Sequence, residues 1–141
     1  MKVADILKSK GNNIFSITSS SSVFDALKMM AEKNIGALMI IEEEKLLGIF
    51  SERDYARKIV LQGKASHDTR VNEIMTKTVI TVLPEDSLEH CMSLMSKNRI
   101  RHLPIVENEK VLGIISIGDV VTAIIESQKE TITHLQNYIS Q

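Results

Sequence analysis

Apolar residues in this chain fall into short runs and helical stripes, and the whole arrangement comes round twice. Val23, Leu27, Met30 and Ala31, with Ala26 beside them, recur at helical spacing and predict a helix to about residue 33. The serines of segment 18–22 supply a turn and N-cap candidates ahead of it. Residues 34–36 end that helix. Residues 37–41 form an apolar run of buried-strand length, 42–45 a charged hairpin turn, and 46–50 the returning strand. Helical periodicity resumes from Glu52 to about residue 61, where Gly63 closes it. Upstream, residues 3–7 predict a short helical turn docked on the body, 8–13 a loop, and 14–17 a short strand.

The same order then repeats. Residues 79–82 predict a strand, Pro84 a turn, and 88–96 a helix with Met92 and Met95 facing inward. Strands follow at 103–106 and 111–115 around a turn at 108–110, and a helix starts near Gly118. Residues 14–59 align without a gap on 79–124, sixty-five positions on. Ser22/Ser87, Leu38/Leu103, Gly48/Gly113, Ser51/Ser116 and Asp54/Asp119 are among the identical pairs. Shorter matches, VADIL at 3–7 and VNEIM at 71–75, precede each copy at a shifted offset. The expected fold is therefore mixed α/β (α+β), built from tandem β-α-β-β-α repeats. A unit of about 60 residues buries too little surface to stand alone, so the repeats should share an interface about a pseudo-two-fold axis. The expected division is 1–66 for the first repeat and 67–126 for the second. Residues 127–141 form an amphipathic helix, with Ile125, Ile132, Leu135 and Ile139 as its stripe. That stripe can cover this chain's own body or a second subunit; because it falls outside the repeat, a homodimer is the favoured expectation.

Composition narrows the function without choosing it. The 141 residues carry a net charge of −1, with 43% hydrophobic and 25% charged residues, as in a globular protein. No basic excess suggests nucleic acid, and the only basic helical candidate, Tyr55-Ala56-Arg57-Lys58, is too short a signal. No apolar run spans a bilayer, and no signal peptide is recognisable, so the cytoplasm is the expected compartment. One cysteine, Cys91, excludes an internal disulfide and reads as a small buried hydrophobe. His67, in the polar linker 62–70, reads as a solvated histidine, and no residue set has metal-ligand spacing. His90 and Cys91 are neighbours on a helix and point to different faces, so no nucleophile–base pair forms there. A Walker loop and a dinucleotide glycine fingerprint are both missing. An enzyme is not expected.

The chemistry concentrates at Ser51-x-x-Asp54 and Ser116-x-x-Asp119. Ser followed by Asp three residues on is first of all a helix cap. Two features raise it above that: both copies keep the pair while the residues between them change, and both follow a strand end, where α/β folds place ligands. A helix N-terminus favours anions, and a carboxylate beside it can accept hydrogen bonds from a ribose diol.

On these residues, together with Arg101-His102-Leu103-Pro104-Ile105-Val106, the chain resembles the CBS-domain pair, or Bateman module, over nearly all of residues 1–126. The resemblance implies an adenosine nucleotide, AMP, ATP or NAD, held in the cleft between the repeats without catalysis or metal. It implies one site of Ser51 and Asp54, with Ile17, Thr18, Gly36 and Ala37 near the base. The other would use Ser116 and Asp119 with Thr78, Ile80, Arg101, His102 and Pro104. Arg101-His102 replaces Gly36-Ala37, and Pro104 replaces Met39, so the second site is the one equipped with cations for phosphate. Arg53, with Arg57, is a candidate to reach across to that phosphate, or else lies on a solvated helix face. The competing reading is a ligand-independent dimerisation module whose turns are only caps. In either case the chain would act on a partner protein that the sequence does not name.

Overall fold

In the computed structural model, which describes residues 1–11 and 13–140, the repeats of the sequence and the bodies in space do not coincide. One body contains Ile14–Ile80 with Asn108–Val111; the other contains Met1–Asn13, Thr81–Glu107 and Leu112–Gln141. Each is built mainly from one repeat but includes the short helix that precedes the other repeat in sequence. They are called here the first-repeat and second-repeat bodies.

The first-repeat body holds a three-stranded sheet in the order β1 (Ser16–Ile17), β2 (Ala37–Glu42), β3 (Lys45–Ser51). β1 runs parallel to β2, and β2 and β3 form an antiparallel hairpin with a bulge after Ile40. Its two-residue turn, Glu43-Glu44, is left-handed at both positions (φ 51° and 65°), the geometry that matches strand twist. Helix α2 (Val23–Lys33) starts where the Ser22 hydroxyl accepts the Asp25 N–H at 3.1 Å. It buries Val23, Ala26 and Met30 and ends on left-handed Asn34. Ala31, at the same helical spacing, is exposed. Leu38, Ile40, Phe50 and Ile59 complete the core with Val71 and Ile74 of α4 (Val71–Ile74).

The helix expected from Glu52 is α-helical only for α3 (Glu52–Asp54), after which Tyr55–Val60 widens into a π-helical turn. The Leu61 N–H bonds the Ala56 carbonyl and the Lys64 N–H the Ile59 carbonyl, both five residues back. Ile59 is buried by that turn. His67 is not simply solvated: its ring stacks on Phe24 with centroids 4.0 Å apart.

The second-repeat body reuses the plan with differences. Helix α5 (Leu88–Asn98) is capped by Ser87 on the His90 N–H at 3.1 Å and ends on left-handed Arg99. Cys91 and Met95 are buried, but Met92, expected to face inward, is 37% exposed. β4 (His102–Glu107) and β5 (Lys110–Ser116) pair around the left-handed Asn108-Glu109 turn. The strand expected at 79–82 reduces to one bridge, Val82 with Ile105, where the Val82 N–H meets the Pro104 carbonyl at 3.0 Å. Helix α1 (Val3–Lys10) runs through Lys8 to Lys10, which were expected to be loop, because main-chain bonds fix its start. Val3 N–H reaches the Asp86 carbonyl and Ala4 N–H the Pro84 carbonyl, both at 2.9 Å. Asn12 of the expected loop lies outside the described residues.

The last helix and the C-terminal tail are one element, α6 (Ile117–Ile139), of 23 residues. It packs on α5 and α1, but Val120 is its only buried residue. Ile132, Leu135, Tyr138 and Ile139 are 54–81% exposed, leaving the predicted stripe open along this chain. Gln141, the end of the expected tail, lies outside the described residues.

Candidate functional site

Both Ser-x-x-Asp turns fold as full capping boxes. In the first-repeat body the Ser51 hydroxyl accepts the Asp54 N–H at 3.2 Å, and the Ser51 N–H donates to Asp54 Oδ2 at 3.0 Å. In the second-repeat body the same bonds, Asp119 N–H to Ser116 and Ser116 N–H to Asp119 Oδ2, measure 3.1 and 2.9 Å. The preceding backbone is also matched. The Glu52 N–H donates to the Gly36 carbonyl at 3.1 Å, and the Ile117 N–H to the Arg101 carbonyl at 2.9 Å. Gly36-Ala37 and Arg101-His102 are thereby held beside the two caps. Ala37 lies opposite Ser51 in the sheet register, and Ile17 opposite Ile40.

The two carboxylates differ in what remains available. Asp54 Oδ2 takes the Ser51 N–H and hydroxyl, the latter at 3.1 Å; Oδ1 takes Lys58 Nζ at 3.2 Å and a long Thr76 hydroxyl bond at 3.4 Å. Three hydrogen bonds and one ion pair leave little of the roughly four lone-pair positions of this carboxylate open. Asp119 directs only Oδ2 inward, to the Ser116 N–H and to Lys10 Nζ at 2.8 Å. Within its own body, among the described residues, Oδ1 accepts nothing. Asp119 is also the more open, 27% exposed against 15% for Asp54.

Lys10 and Lys58 were not among the expected site residues. Lys58 sits one turn after Asp54, so i,i+4 spacing was a signal for it. Lys10 lies 109 positions from Asp119, and no local pattern points to it. It arrives on α1, whose Leu7 lies over Gly113: a Cβ there would stand 3.0 Å from Leu7 Cδ2. The equivalent Gly48 lies under Met75, just after α4, with 2.7 Å from a Cβ to the thioether sulfur. The repeated glycine therefore makes room for the leading segment of the other repeat.

Burial lowers the His102 pKa first, reinforced by Lys10 and Arg101 and opposed by Asp119, so its neutral form is favoured. Burial pushes the Asp119 pKa up, but the Lys10 hydrogen bond, the Ser116 bonds and the Lys10 charge outweigh it, and the carboxyl stays below its ordinary value. Burial raises Cys91 to about 11, aided by Asp86 and Glu89, which removes it as a nucleophile.

The remaining expected residues are placed as follows. Thr18 is exposed, with its hydroxyl within 3.5 and 3.3 Å of the Ser20 and Ser21 hydroxyls. Arg53 and Arg57 are exposed along the helix after Ser51, and Pro104 is buried in β4. Thr78 and Ile80, expected beside Ser116, belong to the first-repeat body, whereas Arg101, His102 and Pro104 belong with Ser116. No group of three His, Cys, Asp or Glu among the described residues is placed to hold a metal, and no described helix is long and apolar enough to cross a membrane.

Two copies of one helix–hairpin unit, each ending in a Ser-x-x-Asp helix start, define a duplicated module. The chain matches the CBS domain over residues 3–61 and 71–126 and belongs to that family. It is 41% identical to the Arabidopsis thaliana "CBS domain-containing protein CBSX3, mitochondrial", covering 97% of this chain and 71% of that one. A putative signal-transduction protein with CBS domains from Burkholderia ambifaria superposes with a TM-score of 0.87 at 48% identity, covering 91% of this chain and 96% of that one. The CBS domain pair of protein MJ0100, solved with 5′-methylthioadenosine and S-adenosyl-L-methionine, superposes at 0.80 with 31% identity, covering 90% and 98%.

Proposed function

We propose that this chain is a non-catalytic regulatory module that binds an adenosine nucleotide, AMP, ATP or NAD, and passes its occupancy to a partner protein. The observation that carries the reading is the Asp119 carboxylate. It stands at the start of α6 with Oδ2 tied inside its own body and Oδ1 accepting nothing there. A ribose diol offers two hydroxyl donors, and a carboxylate oxygen with two lone pairs suits them. The adenosine ligands of the MJ0100 pair support the ligand class.

In this reading Ser116 and Asp119 hold the sugar, with Arg101, His102 and Pro104 framing the phosphate and base. Ser51, Asp54, Ile17, Thr18, Gly36 and Ala37, with Arg53 and Arg57, form the weaker half-site, because the Asp54 acceptors are already used. The exposed stripe of α6 is assigned to homodimerisation.

Isothermal titration with AMP, ATP and NAD tests this. Asp119→Ala should weaken binding by about 1.5–3 kcal/mol, the value of a hydrogen bond to a charged group, or roughly 10- to 150-fold. Asp54→Ala should change affinity less and stability more. Failure of every nucleotide to bind below millimolar would overturn the reading in favour of a ligand-independent dimerisation module.

A further inference from the structure

We propose that Lys10 sets the charge class of the ligand at the Asp119 half-site, admitting phosphorylated adenosine in preference to neutral thioether or sulfonium nucleosides. This rests on the adenosine reading above and adds a selectivity that the reading does not contain.

The Lys10 ammonium has three N–H donors. One meets Asp119 Oδ2 at 2.8 Å and a second the Ile114 carbonyl at 3.0 Å. The third has no acceptor within this body among the described residues. Lys58, at the equivalent carboxylate, donates to the Ile74 carbonyl at 2.9 Å and the Thr76 hydroxyl at 3.5 Å, and meets Asp54 Oδ1 at 3.2 Å as an ion pair. The Asp119 half-site therefore keeps a lysine donor for a ligand oxygen beside a carboxylate oxygen that is also open.

The placement of Lys10 is built into the fold. Helix α1 is fixed at its start by the Val3 and Ala4 main-chain bonds and along its length by Leu7 over Gly113. The ammonium itself stays accessible, with the Lys10 side chain 44% exposed. Nearby fixed charge is one carboxylate, Asp119, against two cations, Lys10 and Arg101. Burial first, then those same cations, favour the neutral form of His102 against the opposing pull of Asp119. A phosphate brought to this ribose site meets a net positive field and a spare donor, and its charge-assisted hydrogen bond is of the strong kind. A sulfonium meets two like charges, and a thioether gains nothing from either cation.

The test is titration of the whole protein with AMP, 5′-methylthioadenosine and S-adenosylmethionine, for wild type, Lys10→Met and Lys10→Arg. Wild type should bind AMP at least about tenfold more tightly than the thioether, the effect of one screened charge contact. Lys10→Met, which keeps the length of the stem, should bring the two affinities within about threefold and improve sulfonium binding; Lys10→Arg should restore the preference. On wild type alone, added salt should weaken AMP binding and leave the thioether unchanged, a readout independent of how the variants fold. An unchanged preference in Lys10→Met, or equal weakening of AMP and thioether, overturns this proposal while leaving the adenosine reading intact. Absence of any adenosine ligand on wild type overturns both.

Discussion

A methyl group added at Gly48 tests the tightest approach in the first-repeat body. The new Cβ would lie 2.7 Å from Met75 Sδ, 2.9 Å from Met75 Cγ and 2.9 Å from the Thr76 carbonyl oxygen. The thioether can rotate away at little cost, since methionine is unbranched and adaptable. The carbonyl is fixed: it accepts the Ile49 N–H at 3.0 Å, and the Thr76 N–H returns to the Ile49 carbonyl at 2.9 Å. Relief means parting the β3 edge from residue 76. That endangers two backbone bonds of about 1 kcal/mol each, on top of the ~1–3 kcal/mol cost of overpacking. The lower entropy of an unfolded alanine returns about 0.4–1 kcal/mol. Gly48→Ala should therefore destabilise by about 2–4.5 kcal/mol. At Gly113 a Cβ meets only side-chain tips, Leu7 Cδ2 at 3.0 Å and Ile105 Cδ1 at 3.9 Å. Because the leucine can shift, Gly113→Ala should cost no more than about 1 kcal/mol. Urea unfolding with an unchanged m-value measures both. Equal losses, or a neutral Gly48→Ala, would refute the claim that a fixed carbonyl rather than a mobile side chain sets the requirement for glycine.

Two further outcomes follow from the same geometry. The folded His102 pKa lies below its ordinary value, so the unfolded chain takes up the proton first as pH falls. Its stabilising contribution is complete above about 6.5 and drains below that; the lowered Asp119 pKa adds a second loss below about 4. Thermal melts from pH 8 to 2 should show both descents, and persistence of the first in His102→Asn would contradict the assignment. Leu135→Glu charges a 58%-exposed position on the α6 stripe. Analytical ultracentrifugation should show a dimer becoming monomer with no loss of fold, and an unchanged mass for the variant would remove α6 from the interface.

Local chemistry determined much of this protein from the sequence alone. Ser22, Ser87, Ser51 and Ser116 mark helix starts because a hydroxyl satisfies a free N–H wherever it precedes a helix. The hairpins follow from charged pairs between apolar runs, and the repeat identifies the two Ser-x-x-Asp turns. Periodicity misplaced what depends on neighbours distant in sequence. Met92 lies beyond the buried face of α5, residues 79–81 lack a strand partner, and Tyr55–Val60 widens into a π turn as Ile59 enters the core.

The decisive difference between the half-sites belongs to tertiary structure. The VADIL and VNEIM segments matched at a shifted offset, but the match did not say which body each would join. The fold places α1 with the second-repeat body and α4 with the first. Asp119 consequently pairs with a lysine from the far end of the chain, whereas Asp54 pairs with one from its own helix. Sequence spacing can reveal an i,i+4 pair because the helix itself imposes that contact. It cannot reveal a pair whose proximity exists only after packing has brought two remote segments together.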